Sequence, residues 1–312
     1  MTAPEQTSFA GHETFPFRYT WLSKAYDGVF SDPSVFGSDD AMVQFGVGKN
    51  MVRSMRHWAL SCGIVEEDPD VPNNRGRQLR VTELGERLLG VDGWDPYLED
   101  PASLWWLHWQ LASSPDRATT WYWVFNHLPQ PEFSRSQLLG WLMGLAQQVR
   151  TARVSEASLK RDIDCFVRTY VPARPTRTVP LEETLDCPLV ELGLVREFGA
   201  RGNYLLLRGE HPSLPDHVFA EALAAFLRRN EERANTVPLD AIAFAPGSPG
   251  RVFCLTEEAL LMRLERLRAT TAGALVFDET AGLRQVMIHR ESEELRLLDK
   301  HFRNRAAKGA GE

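Results

Sequence analysis

The 312-residue sequence has no apolar run that approaches the roughly 18 consecutive residues a membrane span requires. Residues 1–11 lack the basic start and the apolar stretch of a signal peptide. Cysteine is scarce, because only four occur, far apart, with no CxxC pair and no histidine at zinc-ligand spacing: Cys62, Cys165, Cys187 and Cys254. We therefore expect a cytoplasmic protein that has buried thiols, does not contact a membrane, and uses no metal and no cofactor.

The chain also has fewer basic than acidic residues. The chain has 35 basic and 42 acidic residues, so its formal charge is 35 − 42 = −7. This balance excludes a nucleic-acid binder that uses its whole surface, but it permits a local basic patch. With 43% apolar residues, a chain of this length can build two or three domains with ordinary cores.

Established catalytic motifs are missing as well. The glycine-rich loop at 45–50 fails as a phosphate-binding P-loop, because Val43 stands at the first glycine position and Asn50 at the Ser/Thr position. It fails as a dinucleotide fingerprint because Met51 stands where the third glycine belongs. No HExxH, GxSxG or zinc-deaminase signature occurs. The sequence thus predicts no catalytic residues and no enzyme.

Two short acidic motifs leave an enzymatic alternative open. Neighbouring residues on a helix or strand do not share a face, so adjacency alone makes no acid–base pair. We interpret His12 and Glu13 as part of a hydrogen-bonded turn, and Glu99 and Asp100 as the start of a helix before Pro101. The alternative is that these four side chains converge from distant parts of the chain into one cleft.

The order of elements in the first hundred residues is typical of a winged helix-turn-helix. A short helix at 41–45 is followed by a glycine turn at 46–48 and a longer helix at 50–61. A basic strand at 77–81 and a further helix from 82 complete the pattern. The predicted fold class is mainly α (α+β), with tandem winged helix-turn-helix-like units and small β-hairpins around a Trp-rich helical core.

The helix at 50–61 carries an apolar stripe on one side and polar groups on the other, as a helix that enters the major groove requires. A solvated helix face beside a charged hairpin would have the same pattern. We predict contact with duplex DNA through the helix and the wing, and the candidate DNA-binding residues are Lys49, Asn50, Arg53, Arg56, Arg75, Arg77 and Arg80.

Seven of the nine tryptophans gather between residues 94 and 141: Trp94, Trp105, Trp106, Trp109, Trp121, Trp123 and Trp141. Leu104, Leu107 and Leu111 interleave with them at helical spacing, which predicts a packed helical core with His108 inside it. An aromatic cage for an unstacked base is the alternative.

We divide the chain into three parts. Residues 1–130 form the winged-helix and aromatic helical domain, 131–214 a second helical and winged unit, and 215–312 a C-terminal helix-plus-hairpin unit with a polar tail. In the second part, Ser134 and Ser155 are expected to cap helices. A proline-rich crossover at 171–180 and a helix near 181–191 are expected to follow.

Four blocks of sequence together resemble the bacterial family known as domain of unknown function 4007. They are Ser8–Tyr19, Gly46–Val52, Tyr97–Pro101 with Leu104-Trp105 and Leu107–Trp109, and Pro246–Gly250. The resemblance implies a gene neighbourhood with a PAPS-reductase-like protein and a cysteine desulfurase, in DNA phosphorothioate-modification and phage-defence clusters. It implies no catalytic residue.

From these observations we expect a non-enzymatic DNA-binding accessory protein of a phosphorothioation or phage-defence system, which recruits or regulates a sulfur-transfer or nuclease partner. Its partners would be duplex DNA, the PAPS-reductase-like protein and other proteins of the defence cluster. One alternative is a scaffold that docks the reductase-like protein through an aromatic surface near Trp121-Tyr122-Trp123. Another is a homodimeric transcriptional regulator that binds a palindromic operator.

Overall fold

A computed structural model describes residues 7–149, 154–173, 187–229, 235–280, 282–290 and 295–309, with side chains up to 305. The described residues are mainly helical and form three small antiparallel sheets, which confirms the α+β class. It divides into two compact units: Met1–Val124 with Leu128–Leu207, and Phe125–His127 with Arg208–Glu312. Within the described ranges, no helix is both long and apolar enough to cross a bilayer.

The described residues of the first unit contain eight α-helices, and the last three residues of α6 are counted with the second unit. They are α1 Tyr19–Ser31, α2 Ala41–Phe45, α3 Lys49–Ser61, α4 Glu83–Leu89, α5 Pro101–Ala112, α6 Thr119–His127, α7 Arg135–Gln148 and α8 Glu156–Tyr170. Short 3-10 helices occur at Val35–Gly37 and Pro188–Leu192. Most of the crossover and helix expected at 171–191 lies outside the described residues.

The strands of the first unit form two sheets. Strands β1 Val65–Glu67 and β2 Leu79–Val81 make an antiparallel pair in which Glu66 lies opposite Arg80. Strands β3 Glu132–Ser134, β4 Val195–Glu197 and β5 Asn203–Leu206 form a sheet of order β3-β5-β4. The predicted hairpin of 194–198 with 204–208 is therefore confirmed as the β4–β5 pair.

Short polar side chains begin several of these helices, as the sequence predicts. Asp100 accepts a hydrogen bond from the Ala102 amide at the start of α5. Ser134 and Gln137 form a reciprocal capping box on α7. Ser155 accepts a hydrogen bond from the Ser158 amide at the start of α8. These caps fix where the helices that frame the core begin.

The tryptophan-rich region is core. Five of the seven clustered side chains are buried, namely Trp105, Trp106, Trp109, Trp121 and Trp123. His108 is fully buried, and its Nδ1 lies 2.8 Å from the Tyr170 hydroxyl, so it is a hydrogen-bonded core histidine as expected. Burial of Trp121 and Trp123 corrects the expectation of an exposed aromatic docking surface at 121–123, because both rings pack inward on α6.

The described residues of the second unit form one sheet and five α-helices. The helices are α9 Asp216–Arg229, α10 Leu239–Phe244, α11 Pro249–Val252, α12 Glu257–Thr270 and α13 Arg296–Gly309. Strands β6 Thr236–Pro238, β7 Leu275–Thr280 and β8 Leu283–Ile288 are ordered β6-β8-β7, and β7 and β8 form the predicted hairpin. Most of the predicted part 131–214 belongs to the first unit, and 215–312 belongs to the second.

Candidate nucleic-acid interface

Helix α3 has one buried face and one solvent face. Val52, Met55 and Trp58 point into the core and are at most 5% exposed. Lys49, Asn50 and Arg53 are exposed on the opposite side. Lys49, Arg53 and Arg56 are spaced by four and three residues, so they form a row along the helix. The core packing of α3 thus turns a basic row outward.

A glycine turn brings the chain into α3. Gly46 ends α2 in the left-handed conformation, with φ of 65°, which is unfavourable for other residues. Gly48 occupies the N-cap of α3, and no side chain caps that end. Met51 and Val52 donate their amide hydrogens to the Gly48 carbonyl, so the Lys49 and Asn50 amides face the open end of the helix. This end carries the positive pole of the helix dipole.

The loop between β1 and β2 is held in place by one asparagine. Asn74 Nδ2 donates to the carbonyl oxygens of Asp68 and Gln78, at 3.0 and 2.7 Å. Asn74 Oδ1 accepts the Gln78 amide hydrogen at 2.7 Å. These bonds close residues 68–78 into a fixed shape and leave the side chains of Arg75 and Arg77 exposed.

Arg56 joins helix α3 to this loop. Its guanidinium donates from Nη2 to the Gly76 carbonyl at 2.8 Å, and the residue is half-buried. Burial lowers the pKa of Arg56 below its usual value, Glu67 opposes this shift, and Arg117 adds to it. The contact brings the basic row of α3 next to the loop that carries Arg75 and Arg77.

The seven predicted contact residues differ in whether their side chains form hydrogen bonds or ion pairs within the protein. Within the described part of the chain, the side chains of Lys49, Asn50, Arg75 and Arg77 have no hydrogen bond or ion pair. Arg53 Nη1 lies 3.3 Å from Glu13 Oε1 in a partly exposed pair, which water screens.

Arg56 and Arg80 are engaged more firmly than the other five. Arg80 pairs with Glu66 at 2.7 Å and with Asp70 at 3.3 Å, and the hydrogen bond to Glu66 raises its pKa. Sequence reasoning missed both engagements, because neither partner is adjacent in the chain.

The motif at 11–14 has a structural role, because its histidine is buried and hydrogen-bonded within the fold. His12 and Asp162 are each 1% exposed, and His12 Nε2 lies 2.7 Å from Asp162 Oδ1. The Thr14 amide donates to His12 Nδ1 at 3.2 Å, so the proton of the ring is on Nε2 and is donated to Asp162. Both ring nitrogens are therefore used within the fold.

The second carboxylate oxygen of Asp162 and the ring of His57 also contact this buried region. Asp162 Oδ2 accepts the Thr120 hydroxyl hydrogen at 2.8 Å, and Asp162 Oδ1 also accepts the Ala10 amide hydrogen. The His57 ring packs edge-on against His12 and Trp58. Burial lowers the pKa of His57 to about 3, and the positive charges of the nearby Arg117 and Arg56 act in the same direction.

The four residues of the enzymatic alternative have separate roles in the fold. His12 binds Asp162 and Glu13 pairs with Arg53. Asp95 accepts the amide hydrogens of Glu99 and Asp100, and Asp100 caps α5, which confirms the predicted helix start. Among the described residues, no group of three or more His, Cys, Asp or Glu side chains could hold a metal ion.

Comparison with known proteins agrees with the sequence blocks described above. A model for the family described as Protein of unknown function (DUF4007) matches residues 9–302. The chain belongs to this family. No curated protein matches it significantly.

Two solved structures are similar over 97% of this chain and 89% of theirs. One, described as "SspB crystal structure", has 35% identity and a TM-score of 0.87. The other, described as "Magnesium ion-bound SspB crystal structure", has 33% identity and a TM-score of 0.84.

Proposed function

We propose that this protein binds duplex DNA through α3 and the β1–β2 loop. In this role it is an accessory of a DNA phosphorothioation or phage-defence system, where it recruits or regulates a sulfur-transfer or nuclease partner. The observation that carries the proposal is the group of exposed, unengaged side chains of Lys49, Asn50, Arg75 and Arg77, within the described residues, beside Arg53. Side chains of these types bind phosphates and base edges.

The order of elements supports a winged helix-turn-helix mode of binding. Helices α2 and α3 flank a three-residue glycine turn, and the β1–β2 pair with its loop follows, as in proteins that insert a recognition helix into the major groove. The N-terminal residues of a recognition helix contact base edges, and here those residues are Lys49, Asn50 and Arg53. Arg75 and Arg77 would contact phosphates from the loop.

Arg56 and Arg80 would act differently from the other five candidates. Because Arg56 is bound to the Gly76 carbonyl, its contribution would be to hold the loop beside α3. Arg80 is neutralised by Glu66 and Asp70, so it would contribute little net charge toward a phosphate. The four cations that remain are Lys49, Arg53, Arg75 and Arg77. If together they displace about four counterions from the DNA, affinity would fall on the order of 100-fold between about 50 and 200 mM salt.

The family relation supports the biological setting of the proposal. The sequence blocks shared with this family imply a setting in DNA sulfur modification, and the two solved relatives are described as SspB. One of them is described as magnesium ion-bound. The described residues of this chain offer no cluster of three or more metal-ligating side chains, so we assign no metal ion to the proposed DNA contact.

Fluorescence anisotropy with matched duplexes, with and without a phosphorothioate, tests the proposal at about 50 and 200 mM salt. We expect salt-sensitive binding that the double variant Lys49→Glu/Arg53→Glu abolishes. The matched control is Lys160→Glu/Arg161→Glu, which makes the same charge change on the exposed side of α8. Absence of binding at low salt, or equal loss in both double variants, would refute binding by α3.

A further inference from the structure

The loop between α5 and α6 places one more arginine beside the proposed DNA contact. Arg117 is exposed in this loop, and its Nη1 lies 3.6 Å from Glu67 Oε1. Glu67 is the last residue of β1, so the pair joins the α5–α6 loop to the β1–β2 loop that carries Arg75 and Arg77. Sequence reasoning missed Arg117, because it lies outside the helix-turn-helix and wing pattern.

Arg117 and Arg56 share the Glu67 carboxylate. A Cβ at Gly76 would lie 2.7 Å from Arg56 Nη2 and 3.2 Å from Glu67 Oε1, so both side chains flank this glycine. Burial lowers the pKa of Arg56, Glu67 raises it, and the positive charge of Arg117 lowers it further. Two guanidinium groups thus lie close to one carboxylate. If Arg117 moves away, Glu67 keeps Arg56 as a neighbour of opposite charge.

Hydrogen bonds hold the backbone of the α5–α6 loop next to Arg117. Thr119 Oγ1 donates to the Pro115 carbonyl at 2.9 Å and accepts the Ser8 amide hydrogen at 2.8 Å. The backbone on both sides of Arg117 is therefore fixed before any ligand binds. Only the arginine side chain has to change its position, which keeps the entropic cost of a new contact low.

The pair between Arg117 and Glu67 is of a kind that a stronger anion can replace. The two side chains are 47% and 44% exposed, and exposed pairs add little to stability because water screens them. Their separation of 3.6 Å is longer than the roughly 2.7–2.9 Å of a charge-assisted hydrogen bond. The neighbouring Asp116 carboxylate accepts the Ser114 hydroxyl hydrogen at 2.8 Å. A phosphate, by contrast, accepts two parallel hydrogen bonds from one guanidinium group.

We infer that the duplex contact includes the α5–α6 loop as a third element, in which Arg117 leaves Glu67 and binds a DNA phosphate. In the free protein Glu67 competes with the phosphate for Arg117, and so it lowers the affinity for DNA. This inference rests on the proposed DNA binding through α3 and the β1–β2 loop, and it adds a phosphate contact beyond those two elements.

Fluorescence anisotropy of a matched duplex with the full chain, between about 50 and 200 mM salt, tests the inference. We expect Arg117→Gln to weaken binding by about 3- to 10-fold at low salt. The slope of log affinity against log salt is expected to become shallower by about 0.9, because one phosphate contact is lost. Arg117→Lys keeps the charge and is expected to keep the slope. A purely structural role of Arg117 would not change this slope.

Glu67→Gln tests the exchange in the opposite direction. It is expected to strengthen binding by about 2- to 5-fold, because Arg117 no longer has to leave a carboxylate. In an Arg117→Gln background the same substitution is expected to give a smaller gain, since the two residues act on each other. An equal gain in both backgrounds would mean that Glu67 acts on the DNA directly, and it would overturn the exchange.

The matched control is the pair of Arg284 and Glu257 in the second unit, which are 3.3 Å apart and exposed to a similar degree. Arg284→Gln and Glu257→Gln are expected to leave both affinity and slope unchanged. All single variants are expected to unfold at nearly the same urea concentration as the parent chain, because exposed pairs add little stability.

The outcomes separate this inference from the proposed function. If the parent chain binds the duplex but Arg117→Gln changes neither affinity nor slope, the α5–α6 loop is not part of the contact, and the proposed function stands. Loss of affinity in Arg284→Gln equal to that in Arg117→Gln would also overturn the inference. If the parent chain does not bind the duplex at low salt, both are wrong.

Discussion

At the scale of single residues, the Asp162 carboxylate explains why a histidine in a turn is so deeply buried. It binds His12, the Ala10 amide and the Thr120 hydroxyl, and so fixes the N-terminal segment onto α6 and α8. A buried carboxylate with three donors is well satisfied, and loss of any one donor leaves a costly unpaired group. Residues 8–12 are thus tied to the core by hydrogen bonds to Thr119 and Asp162.

Gly11→Ala tests this packing. A Cβ at position 11 would lie 2.4 Å from His57 Nδ1, and the ring is held by His12 and Trp58. We expect the free energy of unfolding to fall by about 1–3 kcal/mol in urea denaturation. The control Gly140→Ala, where a Cβ meets nothing within 4 Å in α7, is expected to be neutral or to stabilise by up to about 1 kcal/mol.

His57 predicts how stability depends on pH. Its pKa is about 3 in the fold and 6.5 in the unfolded chain, so the unfolded state binds more protons between these values. The contribution of the neutral His57 ring to the free energy of unfolding is fully present above pH 6.5 and is lost as the pH falls toward 3. The slope is at most about 1.4 kcal/mol per pH unit and smaller where water reaches the ring.

The variant His57→Gln separates this contribution from the others. Urea unfolding at several pH values between 7 and 4 is expected to show a shallower loss of stability in the variant than in the parent chain. Identical pH profiles would contradict the low pKa of His57.

At the scale of elements, local sequence patterns predicted much of the fold. Ser134 and Ser155 predicted the starts of α7 and α8, and the α3 stripe predicted which face is buried. The partners of His12 and Arg56 could not be predicted in this way. Asp162 lies 150 residues after His12, and the Arg56 partner is a backbone carbonyl, so neither leaves a local pattern.

Two asparagines of the interface provide a matched pair of variants. Asn74 has three hydrogen bonds that shape the β1–β2 loop, whereas Asn50 is exposed and, among the described residues, has no side-chain partner. We expect Asn74→Ala to lower the free energy of unfolding by about 1–3 kcal/mol and to speed hydrogen exchange at 74–78. Asn50→Ala should leave both unchanged and weaken binding to duplex DNA. Loss of stability in Asn50→Ala together with unchanged stability in Asn74→Ala would contradict these roles.

At the scale of the whole molecule, the formal charge of −7 limits where an anion can bind. Among the described residues, the exposed cations of α3 and of the β1–β2 loop form a cation-rich surface in the first unit. An acidic chain that binds DNA through one small basic surface would bind weakly as a single copy. A second copy or a protein partner would raise its affinity without any new contact to DNA.

The most direct test of the central claim is hydrogen exchange of the full chain with and without a duplex at low salt, read by mass spectrometry. Binding through α3 and the loop predicts slower exchange in peptides that cover 49–53 and 75–77. It also predicts that this protection disappears at about 200 mM salt and in Lys49→Glu/Arg53→Glu. Protection confined to other segments while the duplex is bound would contradict the account.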